Sequence, residues 1–140
     1  MEKIRLGELE VAGGLSWASL PFDVPEKKGM AEFMAGKGKG STRGLVVRSA
    51  GISVVGYVKP KEKNLKFPSA QALLALANQR TIEETGGLSS GATGEEHNWI
   101  VIEKLDGEDD KYWFGAVKNG VPVPSGDIMG TKDEVIQEMN

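Results

Sequence analysis

Residues 34–44, MAGKGKGSTRG, gather the side chains best suited to phosphate chemistry. They include Lys37, Lys39 and Arg43 as cations, Ser41 and Thr42 as hydroxyls, and four glycines that let a backbone close on an anion. In a phosphate loop of the form G-x-x-x-x-G-K-[ST], the lysine stands immediately before the hydroxyl residue. The loop also runs from a strand into a helix, whose free amides and positive dipole end face the anion. Here Gly40 separates Lys39 from Ser41. The hydrophobic spacing predicts a helix before the loop and a strand after it, so the loop hangs from a carbonyl end that favours lysine over phosphate. Helix capping with solvated charge accounts for the stretch. Lys37, Lys39 and Arg43 are left as a contact patch for an acidic partner, and a nucleotide site on the same loop is the alternative.

The other reactive side chains do not assemble a centre. His97 is the single histidine, in EEHNW, and there is no cysteine. A zinc site or a nucleophile–histidine pair would therefore have to be built around His97 alone. A solvent-exposed strand entrance explains its position. Asp106, Glu108, Asp109 and Asp110 form an acidic run, but without the alternating ligand spacing and the distant bidentate glutamate of a calcium loop. It reads as the charged tip of a hairpin. Ser125 and Asp127 in VPSGDIMG have the S-x-D pattern of turns, where both side chains satisfy local amides. Glu83 and Glu84 fall on a helix surface. Trp17, Trp99 and Trp113 all lie in predicted strands, as core or sheet-face residues, with one exposed tryptophan able to anchor a partner. No catalytic, cofactor-binding or metal-ligating residue is assigned, and no cofactor is expected.

The elements that would position these groups are legible from periodicity. KIRLGELEV alternates around Gly7-Glu8 as two strands and a tight turn, and LSWASL continues as a third strand with Leu15, Trp17 and Ser19 on one face. A short amphipathic helix is predicted over residues 26–35, carrying Met30, Phe33 and Met34 at helical spacing. A β-hairpin follows, with arms 45–48 and 52–59 about Ser49-Ala50-Gly51. Ser69 then caps a long helix, AQALLALANQRTIEE, whose buried stripe is predicted as Ala72, Leu73, Leu76 and Ala77 and whose end is set by Gly86-Gly87. LSSGATGEE is read as a loop. NWIVIEKL, KYWFGAVK and VPVP form an antiparallel meander, its second turn the Asn119-Gly120 pair that tolerates positive φ at both positions. Thr131 to Glu134, TKDE, spells a capping box before a last short helix.

Blocks of antiparallel strands followed by helices predict a mixed α+β fold rather than an alternating, doubly wound one. The 140 residues suit one domain, 1–140, with two subdomains of about 1–68 and 69–140 as the alternative division. A net charge of −3 gives no global attraction to nucleic acid or an anionic membrane, and 39% hydrophobic with 26% charged residues is globular composition. The N-terminus lacks the apolar core of a secretory signal, and the longest apolar runs are far short of the roughly 20 residues that cross a bilayer.

Two segments carry a family likeness. One is Gly14-Leu15-x-Trp17 in the third strand. The other is the series Tyr112-Trp113, Asn119-Gly120, Gly126-Asp127 and Asp133-Glu134. In that order and separation they resemble the N-terminal cytoplasmic domain of type IVb pilus accessory proteins, the PilO-type and BfpC-like components. The likeness touches both ends of the chain and does not extend over residues 25–96. It implies an actin-like or ribonuclease-H-like layout for which no nucleotide chemistry has been demonstrated. It also implies a non-enzymatic platform on the cytoplasmic face of the bacterial inner membrane, docking the cytoplasmic assembly ATPase and a polytopic membrane component of type IV pilus biogenesis. The membrane segment is then expected beyond Asn140. The family has no catalytic residues to carry over. An actin-like nucleotide-binding domain and a stand-alone small adaptor or inhibitor are the other readings.

Overall fold

The computed structural model describes residues 1–84, 98–105 and 110–139. The expected helix stop at Gly86-Gly87, the loop of residues 88–96, His97, and the acids Asp106, Glu108 and Asp109 lie outside the described residues.

The first strands form as their alternation predicts. β1 (Glu2–Leu6) and β2 (Leu9–Gly13) pair as an antiparallel hairpin. β3 (Ser16–Leu20) then joins a second sheet, in the order β3-β5-β4, with β4 spanning Thr42–Ser49 and β5 Ile52–Val58. Between them α1 (Glu26–Ala35) covers one face of that sheet, where Phe33 meets the Tyr57 ring edge-on at 5.0 Å. β4 begins three residues earlier than residues 45–48 predict. Its register shifts between Thr42 and Leu45, and Arg43 at φ 64° forms the irregularity. The glycine-rich composition had made this stretch read as loop, whereas the bulge lets it pair.

Helix α2 (Ala70–Glu84) starts at Ser69, whose hydroxyl accepts the Ala72 N–H at 3.2 Å. Its buried face is not the predicted one. Leu73, Leu76 and Ala77 are exposed, and the helix instead buries Ala70, Gln71, Ala72, Ala75, Asn78 and Ile82. The rotation has a polar cause, because the core beneath α2 contains backbone groups that need side-chain partners. Gln71 and Asn78 supply them. Asn78 Oδ1 accepts the Gly120 N–H at 2.8 Å, while Gln79 Nε2 donates to the Gly120 carbonyl at 2.6 Å. A hydrophobicity count assigns both polar residues to solvent, and so places the stripe one step round the helix.

The third sheet is built on β7 (Tyr112–Lys118), flanked on one side by β6 (Asn98–Lys104). Its other edge carries two short strands end to end, β8 (Val121–Pro122) and β9 (Ile128–Gly130), where one strand had been expected. The Asn119-Gly120 turn has φ values of 52° and 83°, as a type I′ hairpin requires. The ladder opens after β8 because the Gln71 amide enters it. Val123 N–H still donates to Ala116 O at 2.9 Å. The reciprocal bond is replaced by Ala116 N–H to Gln71 Oε1 and Gln71 Nε2 to Val123 O, each 3.1 Å. Gly126 passes so close that a Cβ there would lie 2.5 Å from Gln71 Oε1. The chain leaves the sheet at this wedge and rejoins as β9.

Helix α3 (Lys132–Met139) begins with the predicted capping box: Thr131 N–H donates to Glu134 Oε1 at 3.1 Å, and Glu134 N–H to Thr131 Oγ1 at 3.2 Å. Val135 packs it onto Phe114 and Ala116. The result is a mixed α+β fold of three helices and three antiparallel sheets among the described residues. Its largest apolar cluster joins Trp17, Val47 and Val54 of the second sheet to Ala72 and Ala75 of α2 and Val117 of β7. No helix among the described residues is long and apolar enough to cross a membrane.

Candidate functional site

The glycine-rich loop runs from the C-terminus of α1 into β4, the polarity its sequence predicts. Four of its amides are engaged by carbonyls of the last turn of α1 and of the loop itself. Gly36 N–H donates to Glu32 O and Phe33 O at 3.1 Å, Gly38 N–H to Phe33 O at 2.8 Å, Lys39 N–H to Gly36 O at 3.0 Å and Ser41 N–H to Gly38 O at 2.8 Å. A phosphate cup needs several convergent free N–H groups; here they cap a helix and close turns.

The three basic residues expected to act together are separated. Lys37 and Lys39 project from the loop, exposed. Arg43 turns inward, because the positive φ of the bulge aims its side chain across the sheet end. Its guanidinium donates to Leu65 O at 2.8 Å and to Phe67 O, fastening the connection that leads into α2. Burial lowers the Arg43 pKa from its usual value and the nearby negative charge of Asp127 raises it again. Arg43 is therefore a structural clamp, and Lys37 and Lys39 are left exposed on the loop.

Among the described residues, the most concentrated polar chemistry lies at Asp127, which is 1% exposed. Its φ of 62° is a left-handed conformation that aspartate tolerates better than most residues. That backbone points the carboxylate inward, just before β9. Oδ1 accepts the Gly14 N–H and the Trp113 indole N–H, each at 2.8 Å. Oδ2 accepts the Leu15 N–H at 3.1 Å and the Trp17 indole N–H at 2.9 Å. Burial pushes the Asp127 pKa above its ordinary value, while the bonds from Trp113, Trp17, Gly14 and Leu15 pull the other way.

A carboxylate offers about four acceptor directions, and here four donors fill them. Asp127 has no lone pair left for a metal or an attacking water. Its role is architectural: one side chain ties the start of β3, the middle of β7 and the approach to β9 into a single node. The sequence reading assigned Asp127 to local turn amides. The structure corrects this, since the partners are residues 14, 15, 17 and 113. Ser125 remains exposed beside it.

The tryptophans divide as their neighbours dictate. Trp17 and Trp113 are 6% and 1% exposed and both donate to Asp127, whereas Trp99 is half-buried against the core from β6. A signal for the node was present: a buried indole N–H needs an acceptor, and two buried tryptophans on different strands call for a shared one. Asp110 lies exposed and accepts the Lys132 N–H at 3.3 Å. Among the described residues no group of three or more His, Cys, Asp or Glu side chains is placed to hold a metal ion.

With the geometry in place, the motif residues that carry the family likeness can be located: Gly14, Leu15, Trp17, Trp113 and Asp127 meet at one point. No protein-family model matches the chain, and no curated protein matches it significantly.

Proposed function

We propose that this chain is a non-enzymatic docking domain, the cytoplasmic N-terminal domain of a type IVb pilus accessory protein. It connects the cytoplasmic assembly ATPase and a polytopic membrane component to the rest of the pilus machine. The observation that carries the reading is the convergence on Asp127. Residues picked out at opposite ends of the chain by their likeness to that family form one buried hydrogen-bonded node. A likeness made of mutually bonded core residues is a likeness of architecture, which suits a family that offers a scaffold rather than a reaction.

The same likeness supplies two finer elements of the proposal. One is a position at the cytoplasmic face of the bacterial inner membrane. The other is an actin-like or ribonuclease-H-like layout for the α+β fold. Such a layout mixes parallel with antiparallel strands; the parallel pairing found among the described residues is the single bridge Ala12–Ser69, so that element rests on the likeness alone.

Within the domain, Lys37 and Lys39 on the exposed loop after α1 are the contact we assign to an acidic surface of a partner. Pull-down and calorimetry with the assembly ATPase and the membrane component test the proposal. Binding that weakens on Lys37→Glu with Lys39→Glu is expected, and no association with either component, alone or together, overturns it. A thermal shift with magnesium ATP separates the nucleotide-binding alternative. A site at 100 times its dissociation constant adds about 2.7 kcal/mol of stability, and the docking reading predicts no shift.

A further inference from the structure

The face of α2 that turns away from the core is built like an interface. Leu73, Leu76, Ala77, Arg80, Glu83 and Glu84 are all exposed and recur at intervals of three and four, so they form one continuous stripe. Its apolar half is unusual for a solvent face: Leu76 is 55% and Leu73 38% exposed, and Leu9, which shares a groove with Leu73, is 61% exposed. Leu73 and Leu9 line the same shallow groove with Leu6 and Val101, which widens the apolar surface beyond the helix.

Charges of opposite sign lie toward the two ends of this stripe. At the C-terminal end stand Glu83 and Glu84, the latter 3.6 Å from Arg80 one turn back in an exposed pair of the kind that contributes little. At the N-terminal end the helix is entered through a connection with Lys63 and Lys66, both exposed. A two-fold interface places the same patch against itself in reverse. A helix with an exposed apolar stripe, acidic residues at its end and exposed lysines in the connection before it is complementary to a second copy of itself running antiparallel.

We propose that two copies of this chain pair through α2, antiparallel, about a two-fold axis near Leu76 and Ala77. Leu76 of each copy then packs over the small Ala77 of the other, and the aliphatic stem of Arg80 covers the opposing Leu73. Glu83 and Glu84 come over the start of the opposing helix, next to its Lys66 and its positive dipole end. The 15 residues of α2 give a contact about 22 Å long. This surface is distinct from the Lys37 and Lys39 patch, so the pairing stands or falls separately from the docking proposal.

Sedimentation equilibrium over about 1 μM to about 1 mM at low salt reads the dimer directly, and a dimer that weakens as salt rises is expected. Leu76→Glu should raise the dissociation constant at least about tenfold without loss of folded signal, because the residue is exposed. Glu83→Lys with Glu84→Lys should also dissociate the dimer, and adding Lys63→Glu with Lys66→Glu should restore it. Three results overturn the proposal. They are a wild-type chain that stays monomeric at the highest concentration, a Leu76→Glu dimer of unchanged affinity, and a charge-reversed pair that the second reversal does not rescue. A monomeric chain whose α2 stripe is covered instead by a different protein overturns it equally.

Discussion

Replacing Asp127 with asparagine tests the node at its centre. The substitution keeps the size of the side chain, and asparagine accepts a left-handed backbone as readily as aspartate, so the φ of 62° need not change. The change lies in the hydrogen bonds. Four N–H groups point at two carboxylate oxygens, two to each. An amide keeps one oxygen for one pair and turns an NH2 group against the other, leaving two buried donors facing a donor. Each buried, unpaired donor costs about 1–3 kcal/mol. Removing a charge from a site 1% exposed returns part of that loss. The net expectation is a destabilisation of about 3 kcal/mol, a large share of the roughly 5–15 kcal/mol that holds a domain folded. Urea unfolding followed by tryptophan fluorescence is the assay, since Trp17 and Trp113 are themselves the donors. A loss below about 0.5 kcal/mol, the level of an inert surface change, would refute the assignment of Asp127 as a structural keystone.

Three further outcomes follow from the same geometry. Burial holds the Asp127 pKa above its ordinary 3.8, so the folded state keeps this proton more tightly than the unfolded chain does. The group's contribution is then fully present below pH 3.8 and is lost as pH rises through the folded value, so the stability difference between wild type and Asp127→Asn should shrink across that window in paired urea titrations; a difference that grows with pH contradicts it. Gln71→Met preserves bulk but leaves Ala116 N–H and Val123 O without their partner, and should cost about 2–4 kcal/mol while speeding amide exchange at Ala116. Ala50 occupies the first position of a two-residue turn at φ 53°, followed by Gly51 at 76°, so Ala50→Asn should stabilise the chain by up to about 1 kcal/mol in thermal unfolding.

Local rules were readable in this chain wherever neighbours in sequence decide the structure. Asn119-Gly120 specifies its hairpin because both backbones must turn left-handed, and Thr131 with Glu134 specifies a helix start by reciprocal bonding. The α1 boundaries follow from Pro25 before it and the glycines after it. What stayed hidden depends on residues far apart. Gln71 and Asn78 look like solvent-side positions until the bare backbone of β7 and the Gly120 turn is brought against them. For the same reason VPVP reads as one strand, although a side chain from residue 71 opens the ladder after Pro122. The Asp127 node joins positions more than 100 residues apart, and only the need of two buried indoles for an acceptor pointed toward it. Arg43, counted with the lysines of its loop, is withdrawn from them by one left-handed residue.

The most direct measurement is a nitrogen-15 amide NMR titration of the chain, once with magnesium ATP and once with the assembly ATPase. Amides of residues 36–41 that stay in place with ATP, and move around Lys37 and Lys39 with the ATPase, are the predicted result. The reverse pattern, with ATP shifting those amides and the ATPase leaving them still, would contradict the docking account.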